Sequence, residues 1–310
     1  MGIRLGLCQM RVTPDKQENL RRAESCLRQA AAQGANWPCC RRCSTVPMRM
    51  PASGLRGARR RRDLAISFRH GPGAGDLPGG RSVPEIEGEA IYNTCYLFSP
   101  QGEELARHRK VHLFDIDVPG GQRFMESDTL TAGSQITVVD TALGKLGLAI
   151  CFDIRFAEFF RVMGDLGAQL ILVPAAFNMT TGPLHWDLAF RMRALDQQCF
   201  VAGCSPARDR SASYVAYGHS LVCNPGGRSS RTVARGRRSG WWTLTWGTWP
   251  ATGPRFPFSL AAGPICTARS NKHNGPVGAP QTKKGMLPCI ITVIKIMPPV
   301  SLESWCWRWR

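Results

Sequence analysis

The segment Gly147-Leu-Ala-Ile-Cys151-Phe-Asp-Ile-Arg-Phe156 ends an apolar strand-like run at a cysteine and continues into a helix. A nucleophile on such a bend stands at a sheet edge, where neighbouring backbone N–H groups can bind a developing oxyanion. A free thiol with a pKa of about 8.5 is mostly protonated at neutral pH, so it needs a base and a positive neighbour. Spacing alone does not separate this chemistry from a buried structural cysteine, the commoner fate of a lone one. Arg155 offers a guanidinium fork that suits a carboxylate, either a substrate's or that of a structural ion pair. Taken singly, Lys110 reads as a solvated strand-edge lysine and Glu126 as a surface carboxylate. His185 and Trp186 open a helix and read chiefly as packing beneath a site, with His185 a weaker candidate for touching substrate.

The elements that would position these residues show in the pattern. Residues 3–10 alternate as an opening strand, and Thr13-Pro14 supplies a cap and first-turn proline for a helix that Gly34 closes. Paired strands are expected over Ala90–Ser99 with Glu103–Val111, and over Ile136–Asp140 with Leu146–Ile150. Helices are expected over Ala157–Gly167 and His185–Gln198, and strands over Gln169–Pro174, Cys199–Ser205 and Tyr217–Cys223. This alternation predicts a layered α/β sandwich. No period of 2 or 3.6 survives in 37–81, and the pattern dissolves again after Gly226, so both stretches are expected to be irregular.

The net charge of +18 would suit nucleic acid or an anionic membrane surface if it covered the whole chain. Residues 37–81 hold ten Arg against Asp63 and Asp76, and residues 227–310 hold thirteen Lys or Arg against Glu303. Those segments carry +8 and +12, which leaves the rest at −2. Trp186 is the one tryptophan outside them, so the basicity marks two patches of unusual composition. The Arg59–Arg62 run lacks aromatic interleaving, and no nucleic-acid partner is expected. Cys39, Cys40 and Cys43 lack a second ligand pair at zinc-finger spacing, so no metal is expected. The absence of a long apolar run argues against a membrane partner. Scattered cysteines and the lack of a signal-peptide pattern point to the cytoplasm or mitochondrion.

Several ordered segments change the weight given to Cys151. Leu148–Phe156, His108-Arg-Lys110-Val-His-Leu-Phe-Asp-Ile-Asp-Val-Pro119 and Phe124-Met-Glu126-Ser resemble the nucleophile, lysine and second-glutamate segments of the nitrilase superfamily of carbon–nitrogen hydrolases. Ala176-Phe-Asn-Met-Thr-Thr-Gly-Pro-Leu-His185-Trp, Ser205-Pro-Ala-Arg-Asp209 and Tyr217-Gly-His-Ser resemble its omega-amidase branch. The resemblance covers residues 3–36 and 83–226. It implies a four-layer α-β-β-α sandwich over 1–226, interrupted by 37–81 and followed by an anomalous basic tail, 227–310. It also implies that Cys151 attacks a small amide substrate to give a thioester and ammonia. Lys110 and the Phe152 N–H would hold the oxyanion, and Glu126 would support Lys110. The implied substrates are 2-oxoglutaramate and 2-oxosuccinamate, with no cofactor. Family members commonly form homodimers, partly through the C-terminal portion that is altered here.

One departure from the family pattern is chemical. The general-base glutamate of the family ends the strand after the first helix, in a Leu-Pro-Glu segment. Here that place reads Cys40-Arg41-Arg42-Cys43. Bases that can encode Trp-Pro-Cys-Cys-Arg-Arg-Cys, read in another frame, encode Ala-Val-Leu-Pro-Glu-Met. Trp241-Trp-Thr-Leu-Thr-Trp246 can conceal Val-Asp-Ala-Asp-Val in the same way. As written, the chain is expected to be an amidase impaired by its missing base. A fold-retaining protein without activity and a basic nucleic-acid binder are the alternatives, the latter disfavoured.

Overall fold

Alternation in the first strand, β1 (Gly2–Cys8), divides its side chains between two environments. Leu5 and Leu7 are buried in the main core, while Cys8 joins Met10 in a second cluster with Ala23, Cys26 and Leu27 of helix α1 (Lys16–Ala32). The structure, a computed structural model, describes residues 2–32, 37–40, 80–99, 103–117, 119, 123–142, 144–212, 214–229 and 240–245. All belong to the unit Met1–Ala261, and the unit Ala262–Arg310 lies outside them.

The strands that follow β1 are β2 (Trp37–Cys40), β3 (Gly80–Glu87), β4 (Ala90–Phe98), β5 (Glu104–Arg109), β6 (Asp115–Asp117) and β7 (Arg123–Met125). After them come β8 (Thr137–Thr141), β9 (Gly144–Leu148), β10 (Leu170–Pro174), β11 (Phe200–Cys204), β12 (Leu221–Cys223) and β13 (Gly240–Thr245). One sheet runs β13-β1-β2-β3-β4-β5, the other β12-β11-β10-β9-β8, and β6 pairs with β7 in a short ribbon. Leu5, Leu7, Cys95 and Leu97 of the first sheet share a core with Leu146, Leu148, Leu172 and Val201 of the second. Phe160 and Met163 of helix α2 (Ala157–Asp165) and Trp186 and Phe190 of helix α3 (Gly182–Gln197) join that core. The expected α-β-β-α layering follows from these contacts.

Several expectations need correction. Trp37–Cys40 is a strand parallel to β1, and β3 already begins at Gly80, so the ends of 37–81 are regular. Gly240–Thr245 lies inside the 227–310 tail yet pairs antiparallel with β1 from Gly2↔Thr245 to Leu7↔Gly240. Ladder bonds are made by backbone groups, so a neighbouring strand can organise a segment whose side chains carry no pattern. Helix α1 is capped by Asp15, whose Oδ1 accepts the Gln17 and Glu18 N–H groups at 2.8 and 3.2 Å, and not by Thr13. Gly34 lies outside the described residues. Helix α3 starts a turn earlier than His185, because Asn178 Oδ1 accepts the Thr180 and Thr181 N–H groups at 3.1 and 2.8 Å ahead of Gly182-Pro183. Strand β12 is shorter than expected, since Gly218 and His219 take φ of +80° and +63° and break the extended run.

Candidate active site

Strand β9 delivers the cysteine. Leu146, Leu148, Ala149 and Ile150 are fully buried, and the Ala149 N–H reaches Leu172 O at 3.1 Å, extending the pairing with β10. A Cβ at Gly147 would meet Ile171 Cγ1 at 3.0 Å and Met163 Sδ at 3.3 Å, so glycine lets α2 lie against the strand. Cys151 then turns the chain at φ +50° and opens the 3-10 turn Cys151–Arg155. A left-handed cysteine costs about 1–2 kcal/mol relative to ordinary backbone, so its surroundings must hold it there. Phe152 follows in the first turn, where an N–H has no intrahelical acceptor in a longer helix either.

Two residues on, Asp153 is fully buried and accepts from four directions. Its Oδ2 takes the Ile150 N–H at 2.8 Å and His108 Nε2 at 3.2 Å. Its Oδ1 takes the His112 N–H at 2.9 Å and His112 Nδ1 at 2.8 Å. Burial pushes this carboxyl up, but the bonds from His108 and His112 outweigh it and hold the group well below the usual carboxylate range.

Lys110 directly follows β5. Its N–H donates to Asn93 O and its carbonyl accepts from the Gly133 N–H, both at 2.8 Å. A Cβ at Gly133 would lie 2.4 Å from Arg109 O, so only glycine permits this approach. Lys110 has no solvent contact, and its Nζ donates to Glu126 Oε2. The β6–β7 ribbon brings that carboxylate in: Glu126 follows β7, and its Oε2 also accepts the Phe114 N–H at 2.9 Å. Phe114 in turn packs against the Phe152 ring at 5.0 Å, joining the lysine–glutamate pair to the cysteine turn.

Arg155 is exposed as a residue, but its guanidinium is hemmed in by Phe152 and Phe177, 5.7 and 5.5 Å from the ring centres. This desolvation lowers its pKa, opposed by the nearby Cys151 sulfur, and a guanidinium stays charged regardless. Arg155 Nη2 lies 2.8 Å from His185 Nδ1. Burial first, and then the Arg155 charge, lower the His185 pKa, so the imidazole is neutral at physiological pH and accepts that bond. No carboxylate pairs with Arg155 among the described residues. Nor does any cluster of His, Cys, Asp and Glu there have the makings of a metal site.

A family model described as carbon-nitrogen hydrolase matches residues 70–244. The chain belongs to the carbon–nitrogen hydrolases. It is 46% identical over 229 residues to the omega-amidase NIT2 of Xenopus tropicalis, covering 72% of this chain and 82% of that one. It is 44% identical over 236 residues to a chloroplastic omega-amidase of Arabidopsis thaliana, covering 74% of this chain. It spans 64% of that plant relative's length. Saccharomyces cerevisiae Nit3, a member of branch 10 of the nitrilase superfamily, shares the fold with a TM-score of 0.71 and 31% identity, over 87% of this chain and 97% of that one.

In this carbon–nitrogen hydrolase the Lys110–Glu126 pair and the Phe114–Phe152 contact link the segments of Cys151, Lys110 and Glu126. Lys110 is not a solvated strand-edge residue but a buried one. Among the described residues Arg155 has an imidazole partner and no ion pair, and His185 is half-buried beside it. Trp186 is a core residue: it is buried, meets the Phe177 ring edge-on and the Phe190 ring at a tilt, and its Nε1 donates to His219 O at 2.7 Å. Arg41 and Arg42 lie outside the described residues, directly after β2, whose last residue Cys40 stands opposite Cys8 of β1. The Asp153, His108 and His112 cluster was not foreseen. Its one trace in the sequence is that the two histidines flank Lys110 at two-residue spacing.

Proposed function

We propose that this chain is a thiol amidohydrolase of omega-amidase type, acting on a small dicarboxylic monoamide such as 2-oxoglutaramate or 2-oxosuccinamate. The observation that carries the reading is a fully buried lysine, paired with Glu126, packed through Phe114 against the turn that holds Cys151 at positive φ. A dry ion pair is a poor source of stability, so its presence favours a chemical use. The names of the two omega-amidase relatives support the substrate class.

In this reading Cys151 Sγ attacks the amide carbon, and the carbonyl electron pair moves to oxygen. The Lys110 ammonium and the Phe152 N–H receive that oxyanion. Collapse breaks the C–N bond, and ammonia leaves with a proton. Water then attacks the thioester, the C–S bond breaks, and the acid departs as the thiol is restored. Glu126 holds the Lys110 ammonium in place throughout. Arg155, steadied by neutral His185, receives the carboxylate at the far end of the substrate. The proton transfers need a base. The family's position for it falls at Arg41 and Arg42, and guanidinium groups cannot accept a proton. Turnover is therefore expected to be about 10²–10⁴ below that of an intact relative. Ammonia release from 2-oxoglutaramate by the purified chain tests this. Slow release that Cys151→Ala abolishes supports the reading, and release that survives Cys151→Ala overturns it.

A further inference from the structure

We infer that Asp153 is a positioning residue, which locks the bend carrying Cys151 to the segment carrying Lys110. The inference rests on the proposed role of Cys151 as nucleophile and goes beyond it by naming what holds that nucleophile in register with the lysine.

Asp153 fixes the approach to the bend directly, since its Oδ2 holds the N–H of Ile150, the residue before Cys151, at 2.8 Å. The same carboxylate reaches His108 and His112, two residues before and two residues after Lys110. His108 lies in β5 and His112 in the bend just beyond it, so Lys110 lies along the chain between two side chains anchored to one carboxylate. His112 extends the clamp to the far end of the cysteine turn: its ring stacks on Phe156 at 3.6 Å and meets the edge of Phe159 at 5.3 Å. His108 Nδ1 lies 3.2 Å from Thr137 Oγ1 of β8, tying the network to the strand beside β9.

Packing alone gives no reason for such an arrangement. A fully buried carboxylate is costly to desolvate unless every lone pair is answered, and an apolar residue would fill the space at less cost. What the carboxylate does that an apolar residue cannot is bind two separate segments at fixed distance and direction. Cys151 sits in a backbone conformation that persists only when its surroundings over-determine it. A displacement of about 1 Å between reacting groups costs on the order of 10²-fold in rate.

The test reads the thiol itself, so it does not depend on amide turnover. The full-length chain and its Asp153→Asn variant are labelled with iodoacetamide, whose carbon takes the thiolate sulfur as iodide leaves. The rate at Cys151 is followed by peptide mass mapping across a pH range of about 6–10, which brackets an ordinary thiol. In the proposed reading the sulfur works beside Lys110, so loss of position should slow labelling of Cys151 by about tenfold or more at neutral pH and raise its pH midpoint. Removal of a negative charge without loss of position would act oppositely, lowering the midpoint and speeding the reaction. A rate that is unchanged or faster in a folded Asp153→Asn chain therefore overturns the inference. Should that variant fail to fold, His112→Gln, altering the partly exposed member of the network, is expected to move rate and midpoint in the same direction by a smaller factor. No movement there overturns it equally. If Cys151 of the parent chain labels no faster than the other cysteines, the nucleophile reading falls and this inference with it.

Discussion

A lysine without solvent contact keeps its charge only if a partner answers it, and Glu126 does so for Lys110. Lys110→Met leaves that carboxylate buried without its cation, and the expected cost is about 3–5 kcal/mol. The double variant Lys110→Met, Glu126→Gln should lose clearly less than the two single losses combined, because both charges go together. Urea melts of the four proteins measure this, and plain additivity would show that the pair is not coupled. A second expectation concerns the base. If Arg41 and Arg42 mark its place, then Arg41→Glu or Arg42→Glu should raise ammonia release from 2-oxoglutaramate, toward the 10²–10⁴-fold or so that general-base help supplies. No gain in either variant would place the missing function elsewhere. The segments around Cys151, Lys110 and Glu126 could be read from the sequence because each is a contiguous string. Asp153 could not, since its value lies in contacts 41 and 45 residues back along the chain, which no local pattern records.

Strands β3, β4 and β5 position Lys110, and a carboxylate on β3 ties them together. Glu85 accepts Arg109 Nε and Nη2, both at 3.0 Å, Arg107 Nη1 at 2.7 Å and Thr94 Oγ1 at 2.7 Å. Burial pushes its pKa up, but the bonds from Arg109 and Thr94 and the charges of both arginines prevail and bring it from 4.5 down to about 2. A depressed carboxylate contributes stability above its unfolded pKa and loses it as pH falls through the folded one. Glu85 should thus contribute about 1–3 kcal/mol at neutral pH, reduced by solvent screening at its partly exposed arginine partners, that disappears between pH 4.5 and about 2, with Asp153 losing its share in the same direction. Urea midpoints measured down that range should fall more steeply for the parent than for Glu85→Gln, and parallel curves would discount the network. The long paired strands were readable because a long apolar run, Ala90–Phe98, whose residues from Asn93 on are all buried, is followed by the turn signal Pro100-Gln-Gly102. The β6–β7 ribbon was not, because three-residue strands such as Asp115–Asp117 are too short to show a period, and yet this ribbon carries Glu126 to Lys110.

Across the molecule, composition proved a weaker guide than pairing. The Arg- and Trp-rich stretches gave no period, which led to the expectation of irregular structure, but β2 and β13 flank β1 on both sides. What organises them is the backbone of β1, and a ladder of N–H and C=O groups is indifferent to most side chains. The same reasoning predicts what the tail is for. β13 covers the edge of β1 over six register pairs, from Gly2↔Thr245 to Leu7↔Gly240, and β1 in turn holds α1 and contributes Leu5 and Leu7 to the main core. Ending the chain after Thr245 should leave this sheet intact, whereas ending it after Ser229 turns β1 into an uncovered edge. Each lost ladder bond is worth about 0.5–1.5 kcal/mol net, and each kcal/mol moves the melting point of a unit this size by about 2–4 °C. The shorter chain should therefore melt well below the longer one, by roughly ten degrees. It should also associate more readily, since an exposed strand edge templates pairing with another chain. Melting and light scattering on the two truncations decide the matter. Equal melting points would mean that β13 adds nothing to the sheet, and that residues beyond 229 are dispensable to the fold that holds Cys151.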